Sequence, residues 1–174
     1  KQTLKGLLDF HGRGKAVLSL VTAFLNNPAG YGRVVRDEDS AVTRIMEDKD
    51  CDEAHRSINE VNAGIYLVNA RFLSENIKKI KNRNAQAEYY LPDLVELAVK
   101  KGLKVSALTH LDSCEVMGIN NRIELAKAGG VMRRRIMNEL MLGGVTIVDP
   151  ENTYIDYGVS IGRDTVIYPG AHLS

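Results

Sequence analysis

GYGRVVRDEDSAVTRIMEDKDCDEAHRSINEVNAGIYLV, residues 30–68, decides the fold. Gly30 and Gly32 flank Tyr31. Two glycines so close let the backbone bend sharply, or let a ligand lie where a side chain would collide. Val34 and Val35, then Val42, Ile45 and Met46, read as two short strands. The polar turn between them, Asp37, Glu38, Asp39 and Ser40, predicts a hairpin. Glu47 closes the second strand. After a charged excursion an extended run returns at residues 61–68, with the amide of Asn62 at its start. Three short strands presenting Gly32, Glu47 and Asn62 predict one pocket rich in hydroxyl-binding groups, the chemistry of a carbohydrate site.

Upstream, residues 16–25 form a nearly continuous apolar run between Gly14 and Asn26-Asn27-Pro28. They read as a buried strand, parallel to its neighbours. Before it, Leu4, Leu7, Leu8 and His11 keep helical spacing until Gly12 and Gly14 stop them. Downstream, residues 70–81 put Phe72, Leu73, Ile77 and Ile80 on one helical stripe. A polar loop at 82–88 leads to a second helix at 91–101, with Leu91, Leu94, Val95 and Ala98 inward, Pro92 in its first turn and Gly102 as its stop. Residues 104–109 are another strand. Strands alternating with helices at this spacing predict an α/β domain with a mostly parallel sheet, over residues 1–121.

The character then changes. Residues 122–143 read as a helical arm, with Ile123, Ala126, Gly130, Met137 and Met141 along one side and Gly143-Gly144 at its end. Arg133-Arg134-Arg135 reads as a solvated face. Gly129-Gly130 weakens the helix by about 1 kcal/mol per glycine, so a break or close packing is expected there. Within residues 144–174, Ile155, Ile161, Ile167 and Leu173 recur every six positions, and Val159, Thr165 and Ala171 keep step with them. Written as IDYGVS, IGRDTV, IYPGAH and LS, the run has the hexapeptide pattern of a parallel β-helix, which needs about three repeats and caps to bury a core. A chain that opens in mid-helix without methionine and stops in an unfinished coil reads as an internal piece of a longer one.

Bulk properties narrow the classes. A net charge of +1 over 174 residues gives no electrostatic reason to expect nucleic acid or an anionic membrane as partner. No window approaches the roughly 18 apolar residues of a membrane span, and no charged leader precedes an apolar run. Cys51 and Cys114 have neither CxxC nor CxxH spacing, so they read as reduced thiols of a cytoplasmic protein. The scattered His11, His55, His110 and His172 read as surface or satisfied residues rather than catalysts.

GYGRVVRD, MEDKD, INEVNAGIY, NAQAEYYLPD, EVMGINNRIELA and GVTIVDPENTYID resemble, in order and spacing, a family of bacterial bifunctional enzymes. These fuse an N-acetylglucosamine-1-phosphate uridyltransferase to a glucosamine-1-phosphate N-acetyltransferase and make UDP-N-acetylglucosamine. The resemblance implies a Rossmann-like nucleotidyltransferase domain represented by its C-terminal part, a connecting arm, and the first coils of a left-handed β-helix that trimerises. By the same resemblance Gly32, Glu47 and Asn62 hold the sugar, and Asn120 of the INNR run binds both the sugar nucleotide and Mg²⁺. Glu88 and Tyr90 are further candidates near the sugar, in a loop that departs from the family pattern with Ala87 for glycine and Pro92 for threonine.

The physics suits each role. A missing side chain lets a pyranose lie on backbone, a carboxylate accepts hydroxyl hydrogens strongly, and an amide oxygen is a hard ligand for Mg²⁺. Each residue also has a plain alternative: Glu47 as an exposed strand carboxylate, Asn62 as a strand-entry residue, Asn120 as a cap for the arm. The implied reaction is attack of the phosphate oxygen of N-acetylglucosamine 1-phosphate on the α-phosphorus of UTP, driven by positioning and charge neutralisation.

The glycine-rich triphosphate loop and a strand-end aspartate for the metal are expected upstream, and the acetyl-CoA site downstream. No catalytic residue is assigned within the chain, which is therefore expected to catalyse neither half-reaction alone. Glucose- or mannose-1-phosphate nucleotidyltransferases with hexapeptide tails, and a non-catalytic assembly or regulatory module, stay open beside this expectation.

Overall fold

The computed structural model describes residues 2–110 and 112–174, which divide into two compact units at Val116/Met117. In the first, α1 (Gln2–Gly14) leads into β1 (Leu18–Phe24). The hairpin follows as β2 (Arg33–Arg36) and β3 (Val42–Met46), antiparallel as the valine pattern predicts. Its turn is closed by the Asp37 carboxylate, which accepts from the backbone N–H groups of Asp39 and Ala41. A short α2 (Glu53–Arg56) precedes β4 (Glu60–Val68). After α3 (Ala70–Asn76) and α4 (Asp93–Lys100), β5 (Val105–His110) ends the sheet.

Strand order is β3-β2-β4-β1-β5. Only β1 and β5 run parallel; β1 with β4, β2 with β3 and β2 with β4 are antiparallel. The expectation of a mostly parallel sheet is thus corrected, as is that of a β1 parallel to both neighbours. The physical reason is local: a tight hairpin and its returning strand pair antiparallel by construction, while parallel pairing needs a long connection, and between β1 and β5 that connection is the whole stretch of residues 25–104.

Two apolar clusters sandwich the sheet. On one face Leu18, Leu20, Val34, Ile45, Phe72, Leu94, Val95 and Ala98 are buried together, so the α4 stripe is the one the spacing predicts except for Leu91, which is exposed ahead of the helix. On the other face Leu7 of α1 joins Val21, Ala23, Val61 and Val116. Leu4 and Leu8 stay exposed, and α1 runs through Gly12 to Gly14 rather than stopping at the first glycine.

In the second unit α5 (Arg122–Leu142) is one unbroken helix. Neither the break nor the close packing expected at Gly129-Gly130 occurs: a Cβ added to either glycine meets nothing within 4 Å. The arginine run is only partly solvated, since Arg133 lies over the Tyr154 ring at 4.6 Å and Arg134 pairs with Glu151. Beyond the helix, β6 (Thr146–Ile147), β7 (Tyr154–Ile155), β8 (Val166–Ile167) and β9 (His172–Leu173) form two parallel ladders. Ile155 stands beside Leu173, three hexads further on, and Ile147 beside Ile167. The turn of Pro150–Asn152 lengthens the first circuit. Ile147, Ile155 and Ile167 share a buried cluster with Met137 of α5, so helix and coil have a common core.

Candidate functional site

Three pieces of the hairpin stretch converge. The Asn62 N–H donates to the Gly32 carbonyl at 2.8 Å, tying β4 to the GYGR turn. Directly above Gly32 lie Ile45 and Glu47: a Cβ there would stand 3.0 Å from Ile45 Cγ2 and 3.1 Å from Glu47 Oε1. Gly32 is therefore glycine for lack of room, beside the carboxylate that sequence reasoning paired with it. Arg33 fixes the arrangement from below. Its guanidinium is 2% exposed, donates to the Tyr31 carbonyl and bonds Asp48 at 2.8 Å, clamping the GYGR turn to the MEDKD turn. Arg33 was missed in sequence; an arginine inside a strand has no pattern that betrays burial.

The Asn-Ala-Gly triplet of β4 is a bulge. Leu20 of β1 opposes Tyr66 while Thr22 opposes Asn62, so β4 gains residues across this step. Gly64 makes the bulge possible with φ +73°, and its N–H donates to Asn62 Oδ1 at 3.0 Å. The side-chain amide nitrogen is the remaining arm of Asn62. Tyr66, on the same face, was also missed, because an aromatic in a strand reads as core. Its hydroxyl oxygen is buried and closes no hydrogen bond of ordinary geometry, although the Asn62 side chain reaches toward it. Burial first, and the Glu47 carboxylate after it, push the phenol well above its usual range; the Asn62 contact opposes this.

Glu47 and Tyr90 line a cavity of about 410 Å³ between the end of β3, α4 and the loop after α3. Asp50 and Asp93 lie in its wall, and Lys79, Lys81, Arg83 and Lys100 bring cations to it. Burial, then Asp50, Asp93 and Asp48, raise the Glu47 carboxyl above the ordinary range. Burial and the neighbouring carboxylates likewise raise the Tyr90 phenol.

Glu88 is not in the lining. Its N–H and carbonyl are bonded by the Asn84 side chain, and its carboxylate accepts from Gln86. Ala87, where the family pattern has glycine, adopts φ +55°, a left-handed conformation that glycine takes without strain.

Asn120 belongs to the second unit. Asn121, not Asn120, caps α5, accepting from the N–H groups of Ile123 and Glu124. Glu124 reaches back to the Asn120 N–H at 2.6 Å, and that bond leads the effects holding its carboxyl below the usual range. Magnesium asks for an octahedron of oxygens. Among the described residues no three His, Cys, Asp or Glu side chains gather to hold a metal. Nor, among them, is any helix long and apolar enough to cross a membrane.

No protein-family model matches the chain. In fold it is similar to a putative glucose-1-phosphate thymidylyltransferase from Bacillus anthracis, in complex with a sucrose, which superposes with TM-score 0.52 at 16% identity, over 71% of this chain and 46% of that one. In sequence the chain is 51% identical over 173 residues to the bifunctional protein GlmU of Geobacter metallireducens and 48% to that of Geotalea daltonii, in each case over 99% of its own length. To the GlmU of Acetivibrio thermocellus it is 47% identical over 168 residues. Over the stretch it spans, the chain is similar from end to end to the bifunctional GlmU proteins, as its motifs suggested. It covers 36 to 38% of the length of these relatives.

Proposed function

We propose that residues 2–116 supply the sugar-holding half of an N-acetylglucosamine-1-phosphate uridyltransferase. The observation that carries this is the packing of Gly32 under Glu47 with Asn62 hydrogen-bonded to the same glycine. A pyranose edge laid against a backbone without Cβ can give its hydroxyl hydrogens to the Glu47 carboxylate and receive one from the Asn62 amide. The cations around the adjoining cavity suit a phosphate-bearing ligand. In this reading UTP and N-acetylglucosamine 1-phosphate are the substrates and UDP-N-acetylglucosamine the product.

Residues 117–174 would then be the arm and first coils of an acetyl-CoA-dependent N-acetyltransferase, assembling as a homotrimer in the cytoplasm. Asn120 is this chain's candidate ligand for Mg²⁺. No described segment offers a glycine-rich phosphate loop followed by Arg or Lys, so the 174 residues bind the sugar nucleotide without turning it over.

Thermal shift with UDP-N-acetylglucosamine, ADP-glucose and GDP-mannose tests the substrate class, because a ligand bound only by the folded state raises its melting temperature. UDP-N-acetylglucosamine alone should stabilise the wild type, and Glu47→Ala should abolish the effect. Equal response to another sugar nucleotide would favour a glucose- or mannose-1-phosphate enzyme. Binding unchanged in Glu47→Ala would favour a non-catalytic module. Pyrophosphate release from UTP and N-acetylglucosamine 1-phosphate would refute the claim that the chain lacks turnover.

A further inference from the structure

We propose that Tyr66 is a positioning residue of the sugar site: its phenol, set beside Asn62 by the bulge of β4, orients the Asn62 amide toward the sugar. The bulge is the first reason. Between Asn62 and Tyr66 the strand gains residues relative to β1, and Gly64 turns through φ +73° to accommodate them. Both side chains leave the sheet on the same face, with no side chain on Gly64 between them.

The second reason is the division of labour at Asn62. Its Oδ1 is taken by the Gly64 N–H, so its Nδ2 hydrogens are what it offers outward. An oxygen that accepts one of them fixes the direction of the other. The phenol is placed to be that acceptor.

The third reason is thermodynamic. A buried phenol ordinarily finds a partner, and one that does not destabilises the fold. Phenylalanine would fill the same place, opposite Leu20 and against the same apolar cluster, without that cost. The Tyr66 oxygen is buried with no well-formed bond in the free protein, so the fold alone does not account for it. Like any tyrosine it keeps its proton at neutral pH, and burial raises the phenol further still.

This inference rests on the sugar-site reading, and Tyr66→Phe separates the two. The measurements are calorimetric titration with UDP-N-acetylglucosamine and thermal unfolding without ligand, on wild type, Tyr66→Phe and Glu47→Ala. Tyr66→Phe should melt at the wild-type temperature or above while its Kd rises about 3- to 10-fold, the size of one net hydrogen bond. A purely structural tyrosine would not give stability and affinity opposite signs. Wild-type affinity in Tyr66→Phe, or parallel loss of stability and affinity, overturns the role given to Tyr66. Absence of binding by the wild type overturns the sugar-site reading, and the inference with it.

Discussion

Gly30→Ala and Gly32→Ala should damage the protein for opposite reasons. Gly30 sits at φ +84° with nothing within 4 Å of an added Cβ, so alanine has room but the wrong backbone. The left-handed conformation costs a residue with Cβ about 1–2 kcal/mol, and the stiffer unfolded chain returns about 0.4–1 kcal/mol. The net loss is on the order of 1 kcal/mol. Gly32 has no such backbone constraint but no space: its Cβ would press Ile45 Cγ2 at 3.0 Å and the Glu47 carboxylate at 3.1 and 3.3 Å.

Ile45 is buried among Val34, Phe72 and Leu94 and cannot retreat, whereas the end of the Glu47 side chain can swing away. Overpacking of this kind costs about 1–3 kcal/mol, and part of it is relieved by displacing the carboxylate. Both variants should therefore lose melting temperature, at about 3–4 °C per kcal/mol for a unit of this size. Only Gly32→Ala should lose affinity for UDP-N-acetylglucosamine, by about tenfold or more in calorimetric titration, the worth of one charge-assisted hydrogen bond. Wild-type affinity in Gly32→Ala, or a larger affinity loss in Gly30→Ala, would refute the reasoning.

The ion pair of Glu60 with Arg36, two bonds of 2.7 Å supported by Thr22, makes stability pH-dependent. Burial opposes ionisation of Glu60, but its bonds to Arg36 and Thr22 prevail and lower the carboxyl below its ordinary value. A depressed acid stabilises above its unfolded pKa, so urea midpoints should hold from pH 7 to about 5 and fall as pH drops through the folded value, and Glu60→Gln should flatten that fall. Ala87→Gly, at φ +55°, should raise stability by a few tenths to about 1 kcal/mol in urea unfolding, since relief of the left-handed strain slightly exceeds the entropy glycine adds to the unfolded chain. Met137→Ala, fully buried in the core of the second unit, should cost about 2–5 kcal/mol, with hydrogen-exchange protection lost across residues 145–173 and retained in β1 and β4.

The hairpin, the α4 stripe and the six-residue spacing could be read from the chain because each is a local periodicity enforced by one buried face. Strand direction could not. Whether β1 lies parallel or antiparallel to its neighbours depends on which strand returns beside it, and an all-apolar strand such as residues 18–24 looks the same either way. That Gly32, Glu47 and Asn62 come together was legible through the order of their motifs. Tyr66 and Arg33 were not, since a strand tyrosine reads as core and a strand arginine as surface. Glu88 and Tyr90 lie two apart in one loop, yet only Tyr90 faces the cavity; the difference is made by Asn84, whose side chain bonds the Glu88 backbone.

The common core of α5 and the coil tells where this polypeptide tolerates recombination. A junction at the glycine pair after Leu142 would part Met137 from the isoleucines it covers. Chimeras that import a foreign solenoid should therefore bring its helix with it, the transplantable module being rod and rungs together.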